Sequence, residues 1–326
     1  MIIHFFLFLF LFWIVIALNI NTSAVSVSGI SSGGYFAVQY HVAHSSEIMG
    51  AGIIAGGPYW CSQANVDIAL TSCMTDPILI SVDVLIAETY YAEGLLSIDP
   101  VSHLRDDKVF LVSGLNDTVV VQGVMKKLQT YYEKIGVRSI QTNFNIEAEH
   151  CFPTENYGNI PCTFLGSPYI NKCGYDMAGQ ILQNIYGKLK SKVSYNPNNI
   201  RTINQHDFVP LHVDPELIGI NSKGYVYVPT NCANSKSSCK LHVVFHGCLQ
   251  STENIGEVFI LNAGYLEWAE ANNIVVVFPQ TQSNVLNPKA CWDWWGYSGV
   301  DFATKIGPQI ITINNIINYI ESSKFE

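Results

Sequence analysis

The chain has 326 residues, with 26 Asp and Glu against 17 Lys and Arg and a formal net charge of −9. Hydrophobic residues make up 48% and charged residues only 13%, the opposite of the composition of a disordered chain. No basic run of the kind that grips phosphate backbones occurs, so no nucleic-acid partner is expected.

Residues 5–18 are uninterruptedly apolar. That length fits a signal-peptide core of ~7–15 residues and falls short of the ~20 needed to span a bilayer. Residues 1–24 therefore read as a cleaved signal and 25–326 as one exported domain with no membrane association in the mature form. A β-prone segment at 25–28 leads to Gly29, and 48–55 reads as a small, buried strand ending in Gly56-Gly57-Pro58. A clearer strand covers 108–112, and 119–135 carries apolar residues at helical spacing up to Gly136, a helix stop. A strand at 142–146, a helix at 179–189, Val-rich strands at 224–228, 241–245 and 274–278, and a helix at 306–320 follow. The Asn-rich stretch 192–213 reads as a surface excursion within the same domain. Continuous Val/Ile strands alternating with helices predict an α/β fold, its mostly parallel central sheet covered by helices on both faces.

Gly29-Ile30-Ser31-Ser32-Gly33-Gly34 joins a strand to a helix-compatible stretch. A G-x-S-x-G turn in that context is the nucleophile elbow of an α/β-hydrolase fold, which lifts a serine hydroxyl above the sheet. Such a serine needs a base and an acid, which follow it in the order acid, then histidine. Asp117 lies just past the strand 108–112, and His150 just past the strand 142–146, so Ser31, Asp117 and His150 form the candidate triad. Glu149 is a rival acid beside the imidazole. Leu241-His242-Val243-Val244-Phe245-His246-Gly247-Cys248 is a buried strand ending in His-Gly, the feature that supplies a second oxyanion N–H. It normally precedes the elbow; here it follows the histidine, as a circular permutation of the fold requires. The backbone N–H groups of Ser32 and Cys248 are then the expected oxyanion hole.

These residues resemble a known family. The elbow with Tyr35, His246-Gly247-Cys248-Leu249-Gln250, Pro168-Tyr169-Ile170-Asn171 and Cys291-Trp292-Asp293-Trp294-Trp295-Gly296-Tyr297 are similar to the secreted poly(3-hydroxybutyrate) depolymerases of the single-domain, circularly permuted type. The resemblance implies hydrolysis of esters in a short-chain polyhydroxyalkanoate, with the same triad and oxyanion residues. The chain departs from it in having Cys151 after the histidine and in lacking the polymer-adsorbing domain that many bacterial members carry. An uncharged polyester suits aromatic walls, so Trp294, Trp295 and Tyr59 are the expected substrate contacts, with other tryptophans of the motif in the core. An acetyl or feruloyl esterase acting on plant polysaccharide would use the same triad, and a catalytically dead scaffold could use the aromatics to hold polymer.

No cofactor is expected. The pairs His41/His44 and His242/His246 lack a third metal ligand, and the glycine turn lacks the lysine of a phosphate loop. Asn116-Asp117-Thr118 is a glycosylation sequon, expected to be unused beside a catalytic acid. Export makes the nine cysteines a disulfide set. One pairing joins Cys61 to Cys73, Cys162 to Cys173, Cys232 to Cys239 and Cys248 to Cys291, leaving Cys151, although sequence alone does not fix connectivity.

Overall fold

The computed structural model describes residues 18–233 and 237–322. Most of the expected signal segment, residues 1–17, therefore lies outside the described residues.

The strands are β1 (Ile20–Ile30), β2 (Ile48–Ile54), β3 (Lys108–Gly114), β4 (Ser139–Ile146), β5 (Phe152–Thr154), β6 (Ile170–Lys172), β7 (Ile200–Asn204), β8 (Lys223–Tyr227), β9 (Cys239–Phe245) and β10 (Ile274–Phe278). The helices are α1 (Ser32–Ala43), α2 (Val66–Leu70), α3 (Val82–Gly94), α4 (Gln122–Lys134), α5 (Met177–Tyr186), α6 (Thr252–Ile255), α7 (Val258–Asn262), α8 (Tyr265–Asn272) and α9 (Pro308–Glu321). Eight strands form one sheet in the order β4-β3-β2-β1-β9-β10-β8-β7, and β5 pairs with β6 apart from it. Neighbours from β4 to β10 are all parallel. β8 runs antiparallel to both β10 and β7, so the sheet is mixed at one end. β7 falls in the stretch expected to be a surface excursion, where polar residues and a short length hide an edge strand.

Helices cover both faces. α1, α4 and α9 share one, where His41 Nδ1 lies 2.9 Å from the Tyr132 hydroxyl and Tyr40 donates to Asn314 Oδ1 at 3.1 Å. α5 and α8 share the other. A β-carbon on Gly52 would lie 2.6 Å from the Ile181 side chain, so the glycines of β2 let α5 approach the sheet closely. Every residue of α1 is buried, as expected of a helix with no polar face.

β1 meets β9 at the centre of the sheet, with Ser26 opposite His242 and Gly29 opposite Phe245. His242 is buried, and its Nδ1 and Nε2 lie 2.7 and 2.8 Å from the hydroxyls of Ser26 and Ser28. Those hydroxyls lie 2.7 Å from Tyr186 and Tyr265 respectively. Burial pulls the His242 pKa down to about 3, so a neutral imidazole bridges the strands. This polar chain penalises any slip in register, because a slip would leave its members buried and unpaired. The His-Gly strand thus sits directly beside the elbow strand, although Ser28 and His242 are 214 positions apart in the chain. The order is circularly permuted from the one in which the oxyanion strand comes first.

β1 begins at Ile20, upstream of the expected β-prone segment. Ile20 pairs with Cys239, whose N–H also donates to Asn19 O at 2.8 Å. The boundary expected after residue 24 falls inside this strand.

Candidate active site

Ser31 sits between β1 and α1 with φ 57° and ψ −125°, a conformation costly for a side-chain-bearing residue. Its N–H donates to Ile54 O and its carbonyl accepts from Tyr35 N–H, both at 2.9 Å, so the strained turn is held on each side. The turn closes only because its flanks are glycine. A β-carbon on Gly29 would lie 2.1 Å from Gly33 O, and one on Gly33 would lie 2.3 Å from His246 O.

The loops after β3 and β4 bring Asp117 and His150 together. Both are buried, and His150 Nδ1 donates to Asp117 Oδ2 at 2.9 Å. Asp117 Oδ1 accepts from the N–H groups of Val119 and Val120 at 3.0 and 2.8 Å, which aims the other oxygen at the ring. Glu149 turns elsewhere. It accepts from Thr118 Oγ1 at 2.6 Å and from the His150 backbone N–H at 2.7 Å, so it braces the loop and leaves the imidazole to Asp117.

Ser31 and His150 open onto one cavity of about 390 Å³. Both belong to its wall. Its walls are mostly apolar and include Tyr35, Met74, Leu165, Tyr169, Trp294 and Trp295. Trp294 stacks on Tyr35 with ring centroids 4.1 Å apart, and Trp295 meets Trp294 edge-on. Trp292 is fully buried between Phe36 and Phe245. Tyr59 is a correction. It is buried in the core, within the fields of Glu88 and Tyr131, and takes no part in the cavity wall.

The end of β9 closes against the elbow. A β-carbon on Gly247 would lie 3.2 Å from Ser31 Cβ, so this backbone passes immediately beside the serine. His246 is buried, and burial lowers its pKa to about 4. Its Nδ1 donates to Gly247 O at 2.7 Å, while its Nε2 accepts from Thr281 N–H at 3.3 Å. Gly247 N–H donates to Gln250 Oε1, whose amide in turn donates to Tyr169 O. Ser32 stands at the start of α1, where backbone N–H groups lack helical partners. Its Oγ accepts from Trp292 N–H at 3.3 Å. Ser32 and Cys248 thus flank Ser31 from two elements, with Cys248 fastened by its disulfide to Cys291.

Buried Asp293 organises the tryptophan loop. Its carboxylate accepts from the N–H groups of Trp295, Gly296, Tyr297 and Ser298 and from Ser298 Oγ, at 2.6–3.2 Å. The four disulfides join Cys61–Cys73, Cys162–Cys173, Cys232–Cys239 and Cys248–Cys291, and Cys151 is a buried free thiol. Burial first, then Asp117 and Glu149, push that thiol up to about 12. Among the described residues no group of His, Cys, Asp and Glu is placed to hold a metal ion.

A chain of 34% identity over 322 residues, covering 92% of this sequence and 90% of its own, is the polyhydroxybutyrate depolymerase of Talaromyces funiculosus. The chain belongs to the polyhydroxybutyrate depolymerase family. A poly(3-hydroxybutyrate) depolymerase of Delftia acidovorans is 40% identical over 304 residues, 91% of this chain. The match spans only 59% of that bacterial relative. Two solved structures share the fold at 33% identity, each covering 95% of this chain and 99% of its own. One, at TM-score 0.85, is a Ser-to-Ala PHB depolymerase variant complexed with an R3HB trimer; the other, at 0.83, is the PHB depolymerase from Penicillium funiculosum. No protein-family model matches the chain. The α/β-hydrolase fold of this family is the one expected from the elbow and the His-Gly strand.

The sequence gives no sign of Tyr35, Met74, Leu165 and Tyr169 as cavity walls, because they come from separate loops and helices with no shared spacing. His246 stands in a recognised motif, but its part in orienting a peptide emerges only from the geometry.

Proposed function

We propose that this chain is an exported serine esterase that hydrolyses poly(3-hydroxybutyrate) or related short-chain polyhydroxyalkanoates and their oligomers. One observation carries the proposal: the strained Ser31 and the Asp117–His150 pair, bonded at 2.9 Å, open on the same aromatic-walled cavity. In this mechanism His150 Nε2 takes the Ser31 proton as Oγ attacks the ester carbonyl, and Asp117 stabilises the imidazolium. The oxyanion is held by the N–H groups of Ser32 and Cys248. His150 returns the proton to the departing alcohol, and water, deprotonated by the same imidazole, releases the acid from Ser31. No charge on the substrate is required, in keeping with the apolar walls. The relatives' names and the R3HB trimer bound by a neighbour support the substrate class. Four disulfides support an oxidising destination.

Ser31→Ala is expected to abolish release of 3-hydroxybutyrate from polymer films while the circular dichroism spectrum is unchanged. Activity retained in that variant overturns the proposal. Faster release of acetate or ferulate from xylan than of 3-hydroxybutyrate from polyester would assign the site to polysaccharide esters. A wild-type protein that a fluorophosphonate fails to label at Ser31 would be a binding scaffold.

A further inference from the structure

We infer that Lys289 binds the free carboxylate at the end of a polyester or oligomer chain, so that the cavity favours esters near that end. The inference rests on the proposed ester hydrolysis. Lys289 lines the same cavity as Ser31 and His150 and is exposed. The cavity wall contains no Asp, Glu or Arg and no other Lys. No described residue forms an ion pair with Lys289 or accepts a hydrogen bond from its ammonium. It has no ion-pair partner among the described residues, in a wall otherwise free of Lys, Arg, Asp and Glu.

The interior of a polyester has no use for a cation, since each repeat offers methyl, methylene and ester groups only. A negative charge occurs at one place, the terminal repeat with its free carboxylate, and every soluble oligomer acid carries that group. The backbone of Lys289 is fixed next to the candidate oxyanion hole. Its carbonyl accepts from Leu249 N–H at 2.8 Å, and Cys291, two residues on, is bonded to Cys248. The lysine is therefore rooted beside the candidate oxyanion hole, and its side chain lines the cavity that Ser31 and His150 share.

Ester chemistry says which fragment it holds. Attack by Ser31 forms a bond from Oγ to the carbonyl carbon and breaks the bond from that carbon to the alcohol oxygen. The acyl fragment left on the serine keeps the hydroxyl end of the chain, and the departing alcohol, protonated by His150, carries the carboxylate end. Lys289 thus grips the leaving fragment and sets cleavage close to it, releasing short hydroxy acids. It does so against the net charge of −9, which by itself repels anionic substrate.

The test compares a 3-hydroxybutyrate trimer as free acid and as methyl ester at pH 7.5. At low salt the wild type is expected to show kcat/KM about fivefold higher for the acid, the worth of one partly solvated ion pair, expressed in KM. Lys289→Met should bring the ratio near one, and Lys289→Arg should preserve it. Adding salt to about 0.5 M should level the wild-type ratio by screening, a measurement that needs no variant. A wild-type ratio of one, a ratio insensitive to salt, or an equal loss on both substrates in Lys289→Met overturns the inference. Hydrolysis of neither trimer would instead overturn the proposed activity, whereas methyl-ester hydrolysis without acid preference overturns the Lys289 assignment alone.

Discussion

His246 donates from Nδ1 to the carbonyl oxygen of Gly247 at 2.7 Å, and this bond fixes the direction of the Cys248 N–H. The two groups belong to one planar peptide and point opposite ways. Holding the carbonyl against the buried imidazole fixes that N–H, the donor proposed for the oxyanion, and a β-carbon on Gly247 would lie 3.2 Å from Ser31 Cβ. His246→Leu keeps the volume roughly constant and removes the bond. It is expected to lower kcat ~10- to 100-fold, short of or comparable to outright loss of an oxyanion donor, with little change in KM. Steady-state kinetics on a soluble ester check this; a rise in KM at constant kcat would assign His246 to binding.

Asp293 should act on binding. Its five hydrogen bonds come from the loop that carries Trp294 and Trp295, and no cation among the described residues pairs with it. In Asp293→Asn, an amide N–H₂ faces donors that a carboxylate oxygen had satisfied. Loss of such a buried bond costs ~1–3 kcal/mol, and the loop should loosen. KM for oligomer is expected to rise several-fold with kcat within about twofold, accompanied by a red shift of tryptophan fluorescence. A fall in kcat with KM and fluorescence unchanged would show that the network has no bearing on the tryptophan wall.

These two residues show where sequence reasoning stops. Ser31 is legible because the elbow imposes glycine at fixed offsets, Asp117 because it follows the apolar strand at 108–112, and His150 because it follows a strand read from the alternation at 142–146. The parallel core of the sheet reads directly from Val/Ile runs. β7, being short, polar and at the edge, leaves no such trace. Tyr59 misleads for a related reason: an aromatic after a glycine turn has the same sequence signature whether its ring faces a cavity or the core. Only its burial in the core decides it.

Cys151 adjoins His150 but should be chemically silent. Its thiol is buried and pushed up to about 12, so the reactive thiolate is almost absent at neutral pH. Native protein is expected to resist Ellman's reagent and iodoacetamide with activity intact. Unfolding without reductant should expose one titratable thiol, since the other eight cysteines are paired. Rapid native labelling, or a count of none or three after unfolding, contradicts the arrangement.

The mature terminus is expected upstream of residue 25. Ile20 pairs with Cys239, the Leu18 side chain is buried, and Thr22 and Ser23 line a cleft with Ile317 and Asn318. Cleavage after Ala24 would remove these contacts. The small Ala17, near the end of the apolar run, suits signal processing better. N-terminal sequencing of exported protein should therefore begin at Leu18; a sequence beginning at Val25 would show that the first turn of β1 is dispensable.

Acid should destabilise the fold well before the carboxylates titrate. Burial holds His242 and His246 at about 3 and about 4, whereas in the unfolded chain each titrates near ~6.5. Above that value both are neutral in either state and folding carries no penalty. As pH falls through 6.5 the unfolded chain takes up protons that the folded chain refuses. Stability is therefore lost between about 6.5 and 4, and more gradually to about 3 as His242 titrates. Each unit of depression is worth ~1.4 kcal/mol, so the two together amount to several kcal/mol. Asp99 adds to the loss at lower pH, because bonds from Lys305 and Ser46 outweigh burial and hold its carboxyl low. Asp293 opposes it there, since burial holds its carboxyl high. Thermal unfolding followed by circular dichroism should show Tm falling by about 5–10 °C between pH 7 and pH 4.5. A flat Tm over that range would mean that neither imidazole is held neutral by the fold, and the His242 bridge between β1 and β9 would have to be redrawn with a charged ring.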